Sequence, residues 1–434
     1  MGAGVRSGVG AGAGAGARAR LAALVALIIG AGALGAAAHS IPLPTLAVSA
    51  PVALADQAID IQVSGLEPGE QVTVASSNLD AYNEKWRASA TFAVGQTGIV
   101  DLGTQAPVIG SYQGVDPMGL FWSMQAPVGA ALNGDLPRRP QSSSAYQVTF
   151  TAIAGGRQVA TTTVTRVLMA RGVTYRQLTV RSNGVIGSLF LPPPGATAHP
   201  AVLAFGGSEG GESMDDTAAL LASHGYPTLS LTYFEEPGLP GALADIPLEY
   251  FATAARILAA QPGVDPAHIL AMGYSRGSEA ALLLADKFPT LIHGAVLYAS
   301  NATIGLGYPD PSLPAWTLNG KPFAPHTTIP VANVSGPVLA LGGGDDTVWP
   351  SWAWAPQIDE ELTSAHVPSP HEAMVFPDAG HQLGTFPYLA LTTQSDQLAP
   401  GVPHAFDGGT QAGDAAAQRT GWNDVLSLLA SLEH

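Results

Sequence analysis

Cysteine is absent from this chain of 434 residues. That excludes disulfides, a cysteine nucleophile, thiolate metal sites and a lipidated N-terminal Cys. Charged residues are scarce at 12%, and the basic ones scarcer, 17 Lys and Arg against 33 Asp and Glu. The resulting net charge of −16 argues against nucleic acid as a partner and offers no general attraction to polyanionic substrates. No H-E-x-x-H and no EF-hand sequence occurs, so no metal or other cofactor is expected. A phosphate-binding loop is also unsupported: G-x-x-x-x-G-K-[ST] is missing and the G-x-G-x-x-G spacing does not match. Beyond the N-terminus no stretch is long and apolar enough to cross a bilayer. What the chain does have is 47% hydrophobic residues, the balance of a folded protein, and a length that suggests about two domains.

The first residues read as a targeting segment. Arg6, Arg18 and Arg20 make a positive n-region, an apolar run follows from Leu21 to about Ala37, and Ala36, Ala37 and Ala38 offer a small-residue cleavage site. Residues 1–38 are therefore expected to be a signal peptide and the protein to be secreted or held in the cell envelope. An uncleaved N-terminal anchor is the other reading. Cleavage would remove those three Arg and no acid, taking the charge of −16 to −19.

Residues 41–169 read as all-β. Alternation runs through Ile59-Asp60-Ile61-Gln62-Val63 and Gln71-Val72-Thr73-Val74, with further candidate strands at Trp86–Val94, Ile99–Leu102, Tyr146–Ala152 and Gln158–Val167. Turns such as Glu67-Pro68-Gly69 and Gly155-Gly156 separate them, as in a β-sandwich. Pro137–Ser144 reads as an exposed loop. Residues 170–434 change pattern. Candidate strands at Val173–Val180, Val185–Leu191, Ala201–Phe205, Thr228–Tyr233, Ile269–Gly273, Ala295–Tyr298, Val338–Leu341 and Glu372–Phe376 interleave with helices at Asp215–His224, Leu248–Gln261, Arg276–Phe288 and about Ala415–Leu432. Such alternation implies a parallel sheet covered on both faces.

The chemistry concentrates in this second region. Gly273-Tyr274-Ser275-Arg276-Gly277 is a G-x-S-x-G sequence between an apolar strand and a helix-compatible run, the context of a nucleophile elbow. The alternative is a plain strand-to-helix turn with Ser275 as N-cap. A serine hydroxyl needs a base, and the base needs a group to orient it. In chain order an acid should follow, then a histidine. Leu339-Ala340-Leu341-Gly342-Gly343-Gly344-Asp345-Asp346 runs an apolar strand into a turn with two carboxylates. Asp346 is the preferred acid and Asp345 the alternative. Of the histidines that follow, His366, His371, His381, His404 and His434, His381 stands among small residues directly after a strand and is the candidate base, with His404 second. An oxyanion hole would use the backbone N–H of Arg276 and one from Gly206-Gly207-Ser208-Glu209-Gly210-Gly211, with Gly207 the candidate.

Several stretches carry a family likeness. Ser111-Tyr112-Gln113-Gly114-Val115-Asp116-Pro117-Met118-Gly119-Leu120-Phe121-Trp122-Ser123-Met124 is the most specific. Trp86–Phe92, Phe205-Gly206-Gly207, His224-Gly225-Tyr226, Leu248-Glu249-Tyr250-Phe251, the elbow, Gly343-Gly344-Asp345-Asp346 and Ala379-Gly380-His381 complete the set. Together they resemble the family of acyl-CoA thioesterases and bile acid-CoA:amino acid N-acyltransferases (BAAT) over nearly the whole mature chain, here as an exported bacterial member. The resemblance implies an N-terminal immunoglobulin-like sandwich followed by an α/β-hydrolase domain. It implies Ser275 as nucleophile, Asp346 as acid and His381 as base. The departures are Ser278, where many relatives carry a second glycine, and Arg276 in place of Lys or Leu.

Serine rather than cysteine at the nucleophile favours hydrolysis of an acyl thioester, the expected substrate class. A secreted carboxylesterase, an acyltransferase to an amine, and an inactive surface binding protein are the other readings.

Overall fold

In the computed structural model the described residues are 43–80, 83–127, 145–195, 197–384, 386–390 and 407–433. The leader, the Pro137–Ser144 loop, His404 and His434 lie outside them.

The alternation seen in the first region becomes two sheets, antiparallel except where Val52–Leu54 pairs parallel with Arg157–Val167. Gln71–Leu79 and Lys85–Ala93 each bury every second side chain, the signature of strands with one face on a core and one in solvent. They pair with each other, and the sheet continues through Ala145–Ala154 and Arg157–Val167. A smaller sheet is built on Ile61–Ser64. Val72, Val74, Phe92, Val148 and Phe150 meet Ile61 and Val63 in one apolar cluster. Three features escaped the sequence: the short strands Thr45–Val48 and Val52–Leu54, the two-residue strand Ile109–Gly110, and a one-turn helix at Gly119–Trp122.

The second region forms an eight-stranded sheet. Its spatial order is Thr174–Leu178, Ile186–Leu191, Thr228–Thr232, His199–Phe205, Val264–Tyr274, Ala295–Tyr298, Val338–Gly343 and His371–Phe376. From Thr228–Thr232 onward neighbouring strands run parallel, but the first two are antiparallel. The expectation of a purely parallel sheet is corrected here. Those two edge strands follow one another through a short connection, Thr179 to Val185, which leaves no room for the crossover that a parallel neighbour needs.

Helices cover both faces, and the strand sequences say which residue serves which. Leu203 and Phe205 join Ile269 and Ala271 of the neighbouring strand in a cluster with helices Leu248–Ala259, Arg276–Lys287 and Ser351–Ser364. Val202, Ala204, Leu270 and Met272 point the other way, to helices Asp215–Ser223 and Gln411–Ser431. Both faces being apolar, the strands read as continuous hydrophobic runs. An extra small sheet, Ile246–Pro247, Trp316–Leu318 and Lys321–Pro322, was not expected from the sequence.

Within the first region Arg166, fully buried, donates to the carbonyls of Ala55 and Gln57 at 2.7 and 2.6 Å. Asp56, between those two carbonyls, ties that region to the second. Asp56 accepts from the Trp422 indole at 2.8 Å and pairs with His224. Among the described residues no helix is long and apolar enough to cross a membrane.

Candidate active site

The elbow is built by close approach of backbone. A Cβ on Gly273 would lie 2.1 Å from the Gly277 oxygen, and one on Gly277 would lie 2.4 Å from the Gly206 oxygen. Only glycine lets the strand Val264–Tyr274 turn into the helix Arg276–Lys287 beneath the neighbouring loop. The turn sets Ser275 at φ 54° and ψ −122°, an uncommon conformation for a residue with a side chain. Its N–H donates to the Tyr298 oxygen at 2.9 Å, which fixes the strained residue to the adjacent strand.

Ser275, His381 and Asp346 come together, all buried. His381 Nε2 lies 2.9 Å from Ser275 Oγ, and His381 Nδ1 lies 2.9 Å from Asp346 Oδ2. Both distances are within direct hydrogen-bond reach of a nucleophile, base and orienting acid. Asp346 is itself held: its Oδ1 accepts from the N–H groups of Val348 and Trp349 at 3.0 and 3.2 Å, and its Oδ2 from the Ser351 hydroxyl at 2.6 Å. The adjacent Asp345 is exposed and does not reach His381. His371 is occupied elsewhere, 2.6 Å from Asp359, and His366 follows the helix Ser351–Ser364 in a left-handed turn with φ 55°.

The imidazole of His381 is flanked by two aromatic rings. Tyr274 and Trp349 each place a ring centroid 5.4 Å from it, and the Tyr274 hydroxyl donates to the His381 oxygen at 3.2 Å. The preceding residue, Gly380, donates its N–H to Asp414 Oδ1 at 2.7 Å. Burial pushes the Asp414 carboxyl up to about 7, so this acceptor is held partly protonated near neutrality.

A second buried carboxylate organises the other side of the elbow. Glu279, one turn into the helix, is fully buried. Its Oε1 accepts from Asn301 Nδ2 at 2.9 Å and forms an ion pair with Arg276 Nε, also at 2.9 Å. Its Oε2 accepts from the Gly305 N–H and the Trp316 indole at 2.9 and 2.8 Å. Burial raises this carboxyl, against the pull of Arg276. Arg276 Nη2 in turn donates to the Leu306 oxygen at 2.7 Å. Ser278, the departure from glycine, is also used: its hydroxyl donates to the Ser275 oxygen at 2.7 Å and accepts from the Asn301 N–H at 3.1 Å.

Both candidate oxyanion donors border the serine. The Arg276 N–H begins the helix and has no carbonyl within it to bond. A Cβ placed on Gly207 would lie 2.7 Å from Ser275 Cβ. The Gly207 N–H, however, already donates to Glu209, with both carboxylate oxygens at 2.9 Å. Sequence reasoning found no role for Glu209, Tyr274, Glu279, Trp349, Ser351 or Asp414, because each acts through a tertiary contact that no spacing announces. Among the described residues no group of three or more His, Asp or Glu is arranged to hold a metal ion.

The N-terminal region of acyl-CoA thioester hydrolase/BAAT matches residues 56–180, and the C-terminal region of BAAT/acyl-CoA thioester hydrolase matches residues 246–308 and 316–432. The chain belongs to the acyl-CoA thioester hydrolase/BAAT family. As a member of that family it is an enzyme. Among its relatives, mouse acyl-coenzyme A thioesterase 6 is 29% identical over 403 residues, covering 86% of this chain and 93% of the relative. Mouse acyl-coenzyme A amino acid N-acyltransferase 1 is 29% identical over 397 residues, covering 86% and 94%. The family thus includes thioester hydrolysis and acyl transfer under one architecture. A solved structure of a dienelactone hydrolase-like promiscuous phosphotriesterase from metagenomic libraries is 18% identical, with a TM-score of 0.40 over 61% of this chain and 100% of that one.

Proposed function

We propose that the chain is a serine hydrolase that cleaves acyl thioesters of the acyl-CoA type to free acid and thiol. Ser275 is the nucleophile, His381 the general base and Asp346 the carboxylate that orients it. The observation that carries this reading is the unbroken path from Asp346 Oδ2 through both ring nitrogens of His381 to Ser275 Oγ, 2.9 Å at each step.

The chemistry follows from that path. As Ser275 Oγ bonds to the acyl carbon, its proton passes to His381 Nε2. Asp346 stabilises the imidazolium through Nδ1–H. The carbonyl oxygen becomes an oxyanion beside the N–H groups of Arg276 and Gly207. Collapse breaks the C–S bond, and the departing thiolate takes the proton from Nε2. A water then repeats the sequence on the acyl-serine ester: His381 removes its proton, the acid leaves and Ser275 regains its hydrogen. Transfer to an amine would replace that water. The serine nucleophile supports water.

An oxygen ester is the second reading, favoured by the net charge of −16, which suits the polyphosphate of a CoA leaving group poorly. A panel of acyl-CoA thioesters and p-nitrophenyl esters separates the two. Thioester turnover that exceeds ester turnover, and falls by about four orders of magnitude in Ser275→Ala, is the expected result. Unchanged turnover in that variant would remove the assignment.

We also infer an immunoglobulin-like sandwich at 41–169, an α/β-hydrolase domain at 170–434 and export by residues 1–38. Their support is that the sheets of the first region share no strand with those of the second and the basic, then apolar, leader pattern.

A further inference from the structure

Glu209 holds a position that the reaction needs. Its two carboxylate oxygens each lie 2.9 Å from the Gly207 nitrogen, the distance at which an oxyanion-hole donor meets the developing oxyanion. It sits at the nucleophile: one Cβ-sized atom on Gly207 would be 2.7 Å from Ser275 Cβ and 2.9 Å from Glu209 Oε2. A carboxylate oxygen here stands where the carbonyl oxygen of an acyl group has to dock.

We propose that Glu209 is a built-in occupant of the oxyanion site, which must swing out before Ser275 can be acylated. The proposal rests on Ser275 being the nucleophile. Two features separate it from an ordinary loop contact. Glu209 is exposed as a residue, so its side chain is not locked into the core. The hole does not need Glu209 for its shape either. The buried Tyr233 hydroxyl lies 3.0 Å from the Gly206 oxygen and 2.8 Å from the Gly207 oxygen, which fixes that backbone from the opposite side. When the carboxylate leaves, the Gly207 N–H is freed while the Gly207 carbonyl stays held by Tyr233. The occupant and the oxyanion are both negative and share one donor, so they exclude each other. Glu209 thereby sets how readily the resting site accepts an acyl group.

The test is the second-order rate constant for labelling Ser275 with a small fluorophosphonate, whose phosphoryl oxygen has to enter the same position. The full chain is compared as wild type, Glu209→Gln and Glu209→Ala. Removing a hydrogen bond to a charged acceptor should accelerate labelling of Glu209→Ala by about tenfold to a hundredfold. Glu209→Gln should fall between that variant and wild type, because a neutral amide oxygen holds the N–H less strongly. Labelling of Glu209→Gln that is no faster than wild type, with an unchanged melting temperature, would overturn the proposal. The isosteric variant guards against a folding defect in Glu209→Ala. Failure of all three proteins to label would strike at the nucleophile itself and take this inference with it.

Discussion

Asp346 shows how one side chain can serve geometry and chemistry together. Two backbone N–H groups fix its Oδ1, while Oδ2 faces both the Ser351 hydroxyl and His381. In Asp346→Asn the amide oxygen can keep the backbone contacts, but an NH₂ then confronts His381 Nδ1 and favours the wrong tautomer. Turnover should drop by about 10⁴-fold with little change in melting temperature; steady-state kinetics alongside calorimetry checks this. Glu279 is the structural counterpart. Replacing it with Ala leaves Arg276 without its carboxylate and strands the Trp316 indole, a loss of about 3–5 kcal/mol for breaking a buried pair. Denaturant unfolding should register that loss. Of these residues only Asp346 was legible in the sequence, since it stands where an apolar strand meets a glycine turn. Glu279 looked like any helical glutamate. Its importance arises from Asn301, Gly305 and Trp316 folding over it, contacts that no local pattern encodes.

At the scale of elements, the elbow depends on strand, turn and helix passing within touching distance of the Gly206 loop. Gly277→Ala would press a methyl against the Gly206 oxygen at a cost of about 1–3 kcal/mol, and should lower both thermal stability and Ser275 reactivity. The long elements were readable because their residues alternate or run apolar over many positions. Ala295–Tyr298 matches its expected bounds, and the helix at Arg276 ends within a residue of the expected stop. Most of the misses are short. Thr45–Val48 and Val52–Leu54 sit among Pro42, Pro44 and Pro51, which mask strand character, and their pairing comes from distant partners. Trp316–Leu318 gains its place only by pairing with Ile246–Pro247. The helix Ser351–Ser364 contains Pro356, which blurs the helical period read from sequence.

Across the whole molecule, several buried groups give stability a common pH slope. Burial raises the Asp215 and Asp414 carboxyls to about 7. The unfolded chain releases those protons near the ordinary value of 3.8, so between about pH 4 and 7 the folded state binds more protons and stability falls as pH rises. His224, raised by its hydrogen bond to Asp56, acts in the same sense: its contribution is complete below the usual histidine value and is lost as pH climbs through the raised one. The melting temperature should therefore decline from pH 5 to pH 8. Asp414→Asn should flatten that decline, and His224→Gln should destabilise the protein at pH 5.5 and hardly at pH 9. A slope unaltered by either variant would refute this account of the pH dependence.

The most direct test of the enzyme is to catch its covalent intermediate. Wild-type protein is mixed with excess acyl thioester, quenched with acid within milliseconds and digested for mass spectrometry. The account predicts an early burst of thiol and a mass gain of one acyl group on the peptide carrying Ser275, neither of them seen in Ser275→Ala. Steady turnover with the acyl group on another residue, or turnover that survives in Ser275→Ala, would contradict it.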